Sequence, residues 1–326
     1  MIEVRDLTKT FVVHQKEPGL RASLASLFHR KTVEKHAVRG VSLNVEEGEI
    51  LGLVGANGAG KTTLVKMLAG IIHPTSGEAR VLGHRPWERD DRYRQQIALI
   101  MGQKAQLWWD LPAADSFLLL KEIYRLSDAD FRSSLDYLVE VLGVGDQLTT
   151  QLRRLSLGER MKMELIAALL HSPRVVFLDE PTIGLDLSAQ RAIRDFILQY
   201  REEHKPAMIL TSHYMEDIQR LCERIVIIRD GEFVYDGALS QVSTLYADTK
   251  VVVAHLRKGS EPVCPPQDLG EVLECNDWVV KVRVPRADVA EAASRLLRDY
   301  AVADLAIEEM DIGTIIERIF RERSQP

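Results

Sequence analysis

Cysteine is scarce in this chain of 326 residues: Cys222, Cys264 and Cys275 are the only three, and none forms a CxxC pair. Three such residues build no disulfide framework, they fit a reducing compartment, and Cys264 and Cys275 read as ordinary thiols rather than metal ligands. No stretch approaches the roughly 20 uninterrupted apolar residues that span a bilayer, and the mean hydropathy is -0.10. The chain therefore does not cross a membrane by itself. Its start, MIEVRDLTKTF, is charged and lacks the apolar core of a secretory signal. Positive charge is not in excess either: 42 Lys and Arg stand against 48 Asp and Glu, a formal net charge of -6, which argues against general nucleic-acid binding. Tandem repeats and long low-complexity tracts are missing. What is present, 46% hydrophobic and 28% charged residues, is ordinary for a globular protein. A fibre, a mainly disordered chain and a pore are excluded. A soluble protein that docks on a membrane partner is not.

At roughly 100–200 residues per domain, the length accommodates one large domain or two modest ones. Residues 1–13 alternate as a strand and Ala37 to Asn44 form a second. Between them, 14–36 break the pattern. Leu20, Leu24, Leu27 and Phe28 make one apolar helix face in a net basic segment, read either as a solvated helix on the sheet edge or as a contact with anionic headgroups or a membrane subunit. Ile50 to Val54, Arg174 to Leu178 and Ala207 to Leu210 are short apolar runs suited to strands buried on both faces. Helical patterns over about 113–143, 158–171 and 187–203 lie between them, so the expectation is an α/β fold with a largely parallel sheet. Ile225 to Ile228, Asp230–Gly231 and Glu232 to Tyr235 predict a closing hairpin. Near residue 240 the character changes. A small α+β unit is expected there, with strands over Trp278 to Val284 and Ala301 to Ile307 and helices over 286–298 and 311–323.

The strongest chemical signal is Gly55-Ala56-Asn57-Gly58-Ala59-Gly60-Lys61-Thr62, followed by Thr63, set between an apolar strand and a helical pattern. It matches GxxxxGK[ST] in full, a loop whose backbone N–H groups and helix N-terminus cradle phosphates. Lys61 is placed to reach the β- and γ-phosphates, and the Thr62 hydroxyl to bind Mg²⁺. The second signal is Val175-Val176-Phe177-Leu178-Asp179-Glu180, an apolar strand ending in two carboxylates. Asp179 suits Mg²⁺, directly or through water, and Glu180 suits a general base acting on the attacking water.

Together these motifs make residues 1–239 resemble the nucleotide-binding subunit of an ATP-binding cassette (ABC) transporter, of the bacterial exporter-like type with a separate permease chain. The resemblance implies a P-loop NTPase cassette: a RecA-like core with an antiparallel β subdomain and an α-helical subdomain over about 104–172. A C-terminal accessory domain follows at 240–326. It identifies Leu155, Ser156, Leu157, Gly158 and Glu159 as the family's LSGGQ signature, which acts on the partner's nucleotide. Leu157 stands for the first glycine and Glu159 for the glutamine. Gln103 resembles the glutamine that senses Mg²⁺ and the transmembrane partner. Gly184, Leu185 and Asp186 resemble the loop that crosses the dimer interface, and His213 the histidine that steadies the attacking water. Phe11 resembles the ring that stacks on adenine, or is a core phenylalanine. Trp108 and Trp109 follow Gln103 in the region that receives a helix of the membrane subunit, or they pack within the helical subdomain.

The resemblance further implies an ATPase with ATP and Mg²⁺ as cofactors and a homodimer with two ATP at its interface. The dimer would sit peripherally on the cytoplasmic face of the cell membrane, powering transport, in the export direction, through a separate permease. No nucleic-acid partner is expected. The alternative is a non-transport ABC ATPase acting on a soluble macromolecular complex. The C-terminal domain is expected to aid dimerisation or to regulate turnover.

Overall fold

The structure is a computed structural model and describes residues 1–14, 32–102, 104–245, 249–257, 265–309 and 313–316. The chain divides into two units, Met1–Gly237 and Ala238–Pro326. In the first, four five-residue runs too short for helices become adjacent strands: β3 (Ile50–Val54), β5 (Ile97–Met101), β6 (Val175–Asp179) and β7 (Ala207–Thr211). Every residue of β3 and β7 is buried, as strands covered on both faces require. With β8 (Arg224–Arg229) and β9 (Glu232–Ala238) they form a six-stranded sheet in the order β5-β6-β7-β3-β8-β9. The pairs from β5 through β8 are parallel. Asp230 (φ 51°) and Gly231 (φ 86°) join β8 to β9, both in the left-handed region that a two-residue hairpin turn demands.

A second, three-stranded antiparallel sheet runs in the order β2-β1-β4, from β1 (Ile2–His14), β2 (Thr32–Val45) and β4 (Ser76–Val81). One core joins it to the central sheet through α1 (Lys61–Leu68), whose Leu64, Val65, Met67 and Leu68 are fully buried. At about 1.5–3 kcal/mol per buried side chain, these four contribute roughly 6–12 kcal/mol before entropy is counted. That burial anchors the helix whose N-terminus faces the phosphate loop. The expected insertion at 14–36 is shorter than its sequence implies. Residues 32–36 continue β2, pairing His14 with Thr32 and Phe11 with Lys35. Its apolar helical stripe lies outside the described residues.

The helical part holds α3 (Ala113–Tyr124), α4 (Asp128–Leu142) and α5 (Leu157–Leu169). The helix expected over 113–143 is thus two. Arg125 closes the first in the left-handed conformation (φ 55°), and Ser127 caps the second by accepting from Asp130 N at 3.1 Å. A four-residue α2 (Asp91–Arg94) precedes β5, while α6 (Leu187–His204) and α7 (Met215–Leu221) flank β7 in sequence.

The second unit begins with α8 (Leu239–Leu245) and carries an antiparallel sheet in the order β11-β12-β10-β13: β10 (Thr249–Leu256), β11 (Glu271–Cys275), β12 (Val279–Pro285) and β13 (Val302–Glu309). Strand alternation sends Val252, Ala254, Val280, Val282 and Val284 to one face, where α9 (Val289–Asp299) packs with Ala292, Ala293 and Leu296. Val251, Val253 and Val279 cluster separately. The helix expected over 311–323 falls mostly outside the described residues. Cys222 is a buried free thiol. Cys275, expected to be an ordinary thiol, is disulfide-bonded, a pairing that spacing along the chain does not reveal. Cys264 lies outside the described residues.

Candidate functional site

Parallel strands deliver their C-terminal ends to one edge, the place where open α/β sheets bind ligands. The registers pair Met101 with Asp179 and Asp179 with Thr211, so the acidic end of β6 sits between its neighbours' ends. The loop Gly55–Gly60 runs from β3 into α1. Gly60 adopts φ 116°, and a Cβ there would lie 2.3 Å from the Ala37 carbonyl oxygen, so only glycine makes this turn. Lys61 Nζ folds back to donate to the carbonyls of Gly55 (2.5 Å) and Ala56 (3.2 Å). Burial lowers its pKa, while the Glu180 and Asp179 carboxylates work in the opposite direction.

An open cavity of ≈ 520 Å³ is lined by Phe11, Lys35, Asn57, Lys61, Thr63 and Glu180, among others, and by no residue of 155–159. Phe11 is therefore a wall of the phosphate-loop cavity rather than a core residue, with Lys9 Nζ 5.1 Å from its ring centroid. Beside this cavity, Thr62 Oγ1 donates to Asp179 Oδ1 at 3.2 Å, and Thr211 Oγ1 donates to the same oxygen at 2.7 Å. The hydroxyl and the two carboxylates of Thr62, Asp179 and Glu180 line a smaller recess with Lys66 and Lys104. This is a hard-oxygen donor set. It fits Mg²⁺, which takes only one or two protein carboxylates and fills its remaining positions with phosphate and water. Gln103 lies outside the described residues.

Glu180 has φ 57°, an uncommon conformation for a non-glycine residue, and its side chain meets His213: Oε1 to Nε2 is 2.8 Å. A fully or nearly buried polar network underlies the pair. Asp217 Oδ2 accepts from Thr182 Oγ1 (2.5 Å) and Ser212 Oγ (2.6 Å), and Asp217 Oδ1 accepts from Arg194 Nη1 (3.2 Å). It ties the loop after Glu180, the residue before His213, and α6 to the first turn of α7. Sequence reasoning missed this network and also Thr211 and Gly102, where a Cβ would lie 2.0 Å from the Glu180 carbonyl oxygen. The available signals were Thr211 at an apolar strand's end and an acidic pair, Glu216–Asp217, opening a helix.

Ser156 caps α5 in a reciprocal capping box. Its hydroxyl accepts from Glu159 N (3.3 Å), and Glu159 Oε2 accepts from Ser156 N (2.9 Å) and the Ser156 hydroxyl (2.8 Å). These bonds hold the Glu159 carboxyl below its ordinary range. Gly158 faces Ala189 of α6, and Leu157 lies against Gly184, where a Cβ would stand 3.4 Å from Leu157 Cδ2. Asp186 caps α6, accepting from Ser188 N and Ala189 N at 2.9 Å each; those bonds lower its pKa. Leu185 is buried. Trp108 and Trp109 are 45% and 50% exposed, which excludes packing of both inside the helical part. The Arg160 guanidinium covers Trp109 at 4.7 Å.

Fold and loop together define a P-loop ATPase cassette with an appended α+β domain. Residues 38–183 match the ABC transporter family, and residues 249–308 match the EvrA-like ABC transporter C-terminal domain. The chain is 34% identical to the ABC transporter ATP-binding protein NatA of Bacillus subtilis, over 65% of this chain and 86% of that protein. It is 31% identical to the linearmycin resistance ATP-binding protein LnrL of the same organism, over 66% and 69%. Among solved structures, an ATP-binding subunit of an ABC transporter superposes with TM-score 0.62 at 24% identity, covering 76% of this chain and 93% of that one. The chain belongs to the ATP-binding subunits of ABC transporters, and it binds and hydrolyses ATP in the service of transport.

Proposed function

We propose that two copies of this chain pair head to tail on the cytoplasmic face of the membrane and drive export through a separate permease. The observation that carries the pairing is the separation within one copy: Lys61, Thr63 and Glu180 line the nucleotide cavity, and residues 155–159 do not. A second copy turned head to tail would bring Ser156 and Gly158 to complete each cavity, with Gly184, Leu185 and Asp186 beside the seam. The exposed Trp108 and Trp109 support a docked partner, since exposed aromatics commonly anchor interfaces. Export is supported by the drug-resistance names of relatives such as LnrL.

In this reading Gly55 to Thr63 hold the phosphates, with Lys61 supplying charge to the terminal ones. Phe11 stacks on adenine. Thr62 and Asp179 hold Mg²⁺, which would neutralise phosphate charge, and Thr211 orients Asp179 by its hydrogen bond. Glu180 takes the proton from the attacking water, and His213, donating from Nε2, holds that carboxylate in position. The test is Glu180→Gln. It should keep ATP binding, lose hydrolysis by about 10²–10⁴-fold, and accumulate an ATP-bound dimer on size exclusion. Turnover at the wild-type rate would remove Glu180 from the general-base role, and a monomer with ATP bound would remove the head-to-tail pairing.

A further inference from the structure

Away from the nucleotide cavity, the first unit carries an open groove of ≈ 670 Å³ between α4, the end of α5 and the end of α6. Its volume lies in the range of small-molecule sites, about 300–1,000 Å³. Tyr200 lines it, yet is only 2% exposed, and its hydroxyl has no hydrogen-bond partner among the described residues. His171 lines it too, stacked on Tyr124 with centroids 3.8 Å apart. Its Nε2 lies 3.0 Å from the Ile97 carbonyl oxygen, which can only accept, so Nε2 carries the proton. Burial lowers the His171 pKa to about 4, so near neutral pH the ring is uncharged and the buried, unpartnered Nδ1 presents a lone pair.

Asp130 and Glu203 stand on the rim with His204, and among the described residues no lysine or arginine lines the groove. Asp130 Oδ2 accepts from Ser127 Oγ at 2.7 Å and Glu203 Oε1 from Gln199 Nε2 at 3.0 Å, which leaves each carboxylate with further acceptor capacity. Helices α5 and α6 both end here, adding the negative ends of two macrodipoles. The groove thus offers carboxylates, a phenol oxygen and an imidazole lone pair, and among the described residues it holds no fixed cation. Its complement is a donor-rich cation with no acceptors of its own. We propose that this groove binds an organic ammonium ion of the aliphatic polyamine class, with Glu203 and Asp130 balancing its charge and the Tyr200 and His171 rings shifting to turn the buried Oη and Nδ1 toward the ammonium.

The test titrates spermidine into the nucleotide-free full chain by calorimetry, at constant ionic strength. The expected result is one saturable site, weakened about tenfold by Tyr200→Phe and by Glu203→Gln, each of which removes a single polar contact. Glu232→Gln, an exposed carboxylate outside the groove, should leave it unchanged. Glu203 is exposed, so its variant decides the outcome even where Tyr200→Phe perturbs folding. Absence of saturable heat up to about 1 mM spermidine, a Kd worth only about 4 kcal/mol, would overturn the proposal. So would equal weakening by all three variants, which marks diffuse attraction to an acidic surface, or saturable heat with MgCl₂ and none with spermidine.

Discussion

Asp217→Ala is the sharpest perturbation of the Glu180–His213 edge that replaces neither residue of that pair. Asp217 is fully buried and Arg194 is 2% exposed, so water cannot replace what the carboxylate supplies. Its removal leaves the guanidinium with Glu216 alone, at 3.1 Å on an exposed side chain. It also strips the Thr182 and Ser212 hydroxyls of their shared acceptor. Breaking a buried ion pair by deleting one partner costs about 3–5 kcal/mol, and each orphaned hydroxyl adds about 1 kcal/mol or more. The terms overlap, so the expected loss is roughly 4–6 kcal/mol, a large share of the 5–15 kcal/mol typical of a domain. Urea unfolding followed by far-UV circular dichroism measures it, and the loss should fall on the transition of the first unit. The double change Arg194→Met with Asp217→Leu removes both charges and should recover most of the stability. ATP hydrolysis should stay impaired in that variant, because Thr182 and Ser212 still lack the acceptor that ties the loop after Glu180 to the residue before His213. A loss below about 1 kcal/mol in Asp217→Ala, or a double variant no more stable than the single one, would refute the argument.

His171 predicts a pH dependence. Its folded pKa, about 4, lies below the ordinary 6.5, so the unfolded chain binds the extra proton first as the pH falls. Stability should therefore drop between pH 6.5 and 4, by up to about 3 kcal/mol from this group. Denaturation midpoints of wild type and His171→Gln, compared across that window, isolate it, and parallel curves would contradict it. Trp109→Ala removes an exposed ring that, among the described residues, is stacked by Arg160 alone, so the folding cost should stay near 1 kcal/mol or less. Co-purification with the membrane partner should fall. A large drop in melting temperature with partner binding intact would assign the ring to the fold.

The residues of chemistry that stood out in the sequence are those whose local neighbours already impose the geometry. Gly55 to Thr62 between an apolar strand and a helix leaves the backbone few other conformations, and Asp179–Glu180 ends a strand buried on one side by β5 and on the other by β7. Strands β5 and β10 escaped notice although Ile97 to Met101 and Val251 to Ala254 are apolar runs, while β4 and β11 carry weak apolar signals. Only Ala79 and Val81 are buried in β4, and β11 is an edge strand with no fully buried residue. The break at 125–127 was hidden because Arg125 is a residue type that gives no warning of a left-handed helix end. Asp217 was illegible for a different reason: its three partners lie 35, 5 and 23 positions away, on separate elements.

The sequence by itself determined the class of machine, because phosphate binding and acid–base chemistry need particular residue types at particular short spacings. Tertiary structure decided what depends on distance between elements. It turned Phe11 toward the phosphate-loop cavity, folded Glu159 back on Ser156, exposed both tryptophans and buried Asp217 among Thr182, Ser212 and Arg194. It also assembled the Tyr200–His171 groove from three helices. A spacing rule reaches about one turn or one strand along the chain, whereas these placements are set by which faces of separate elements the core must bury.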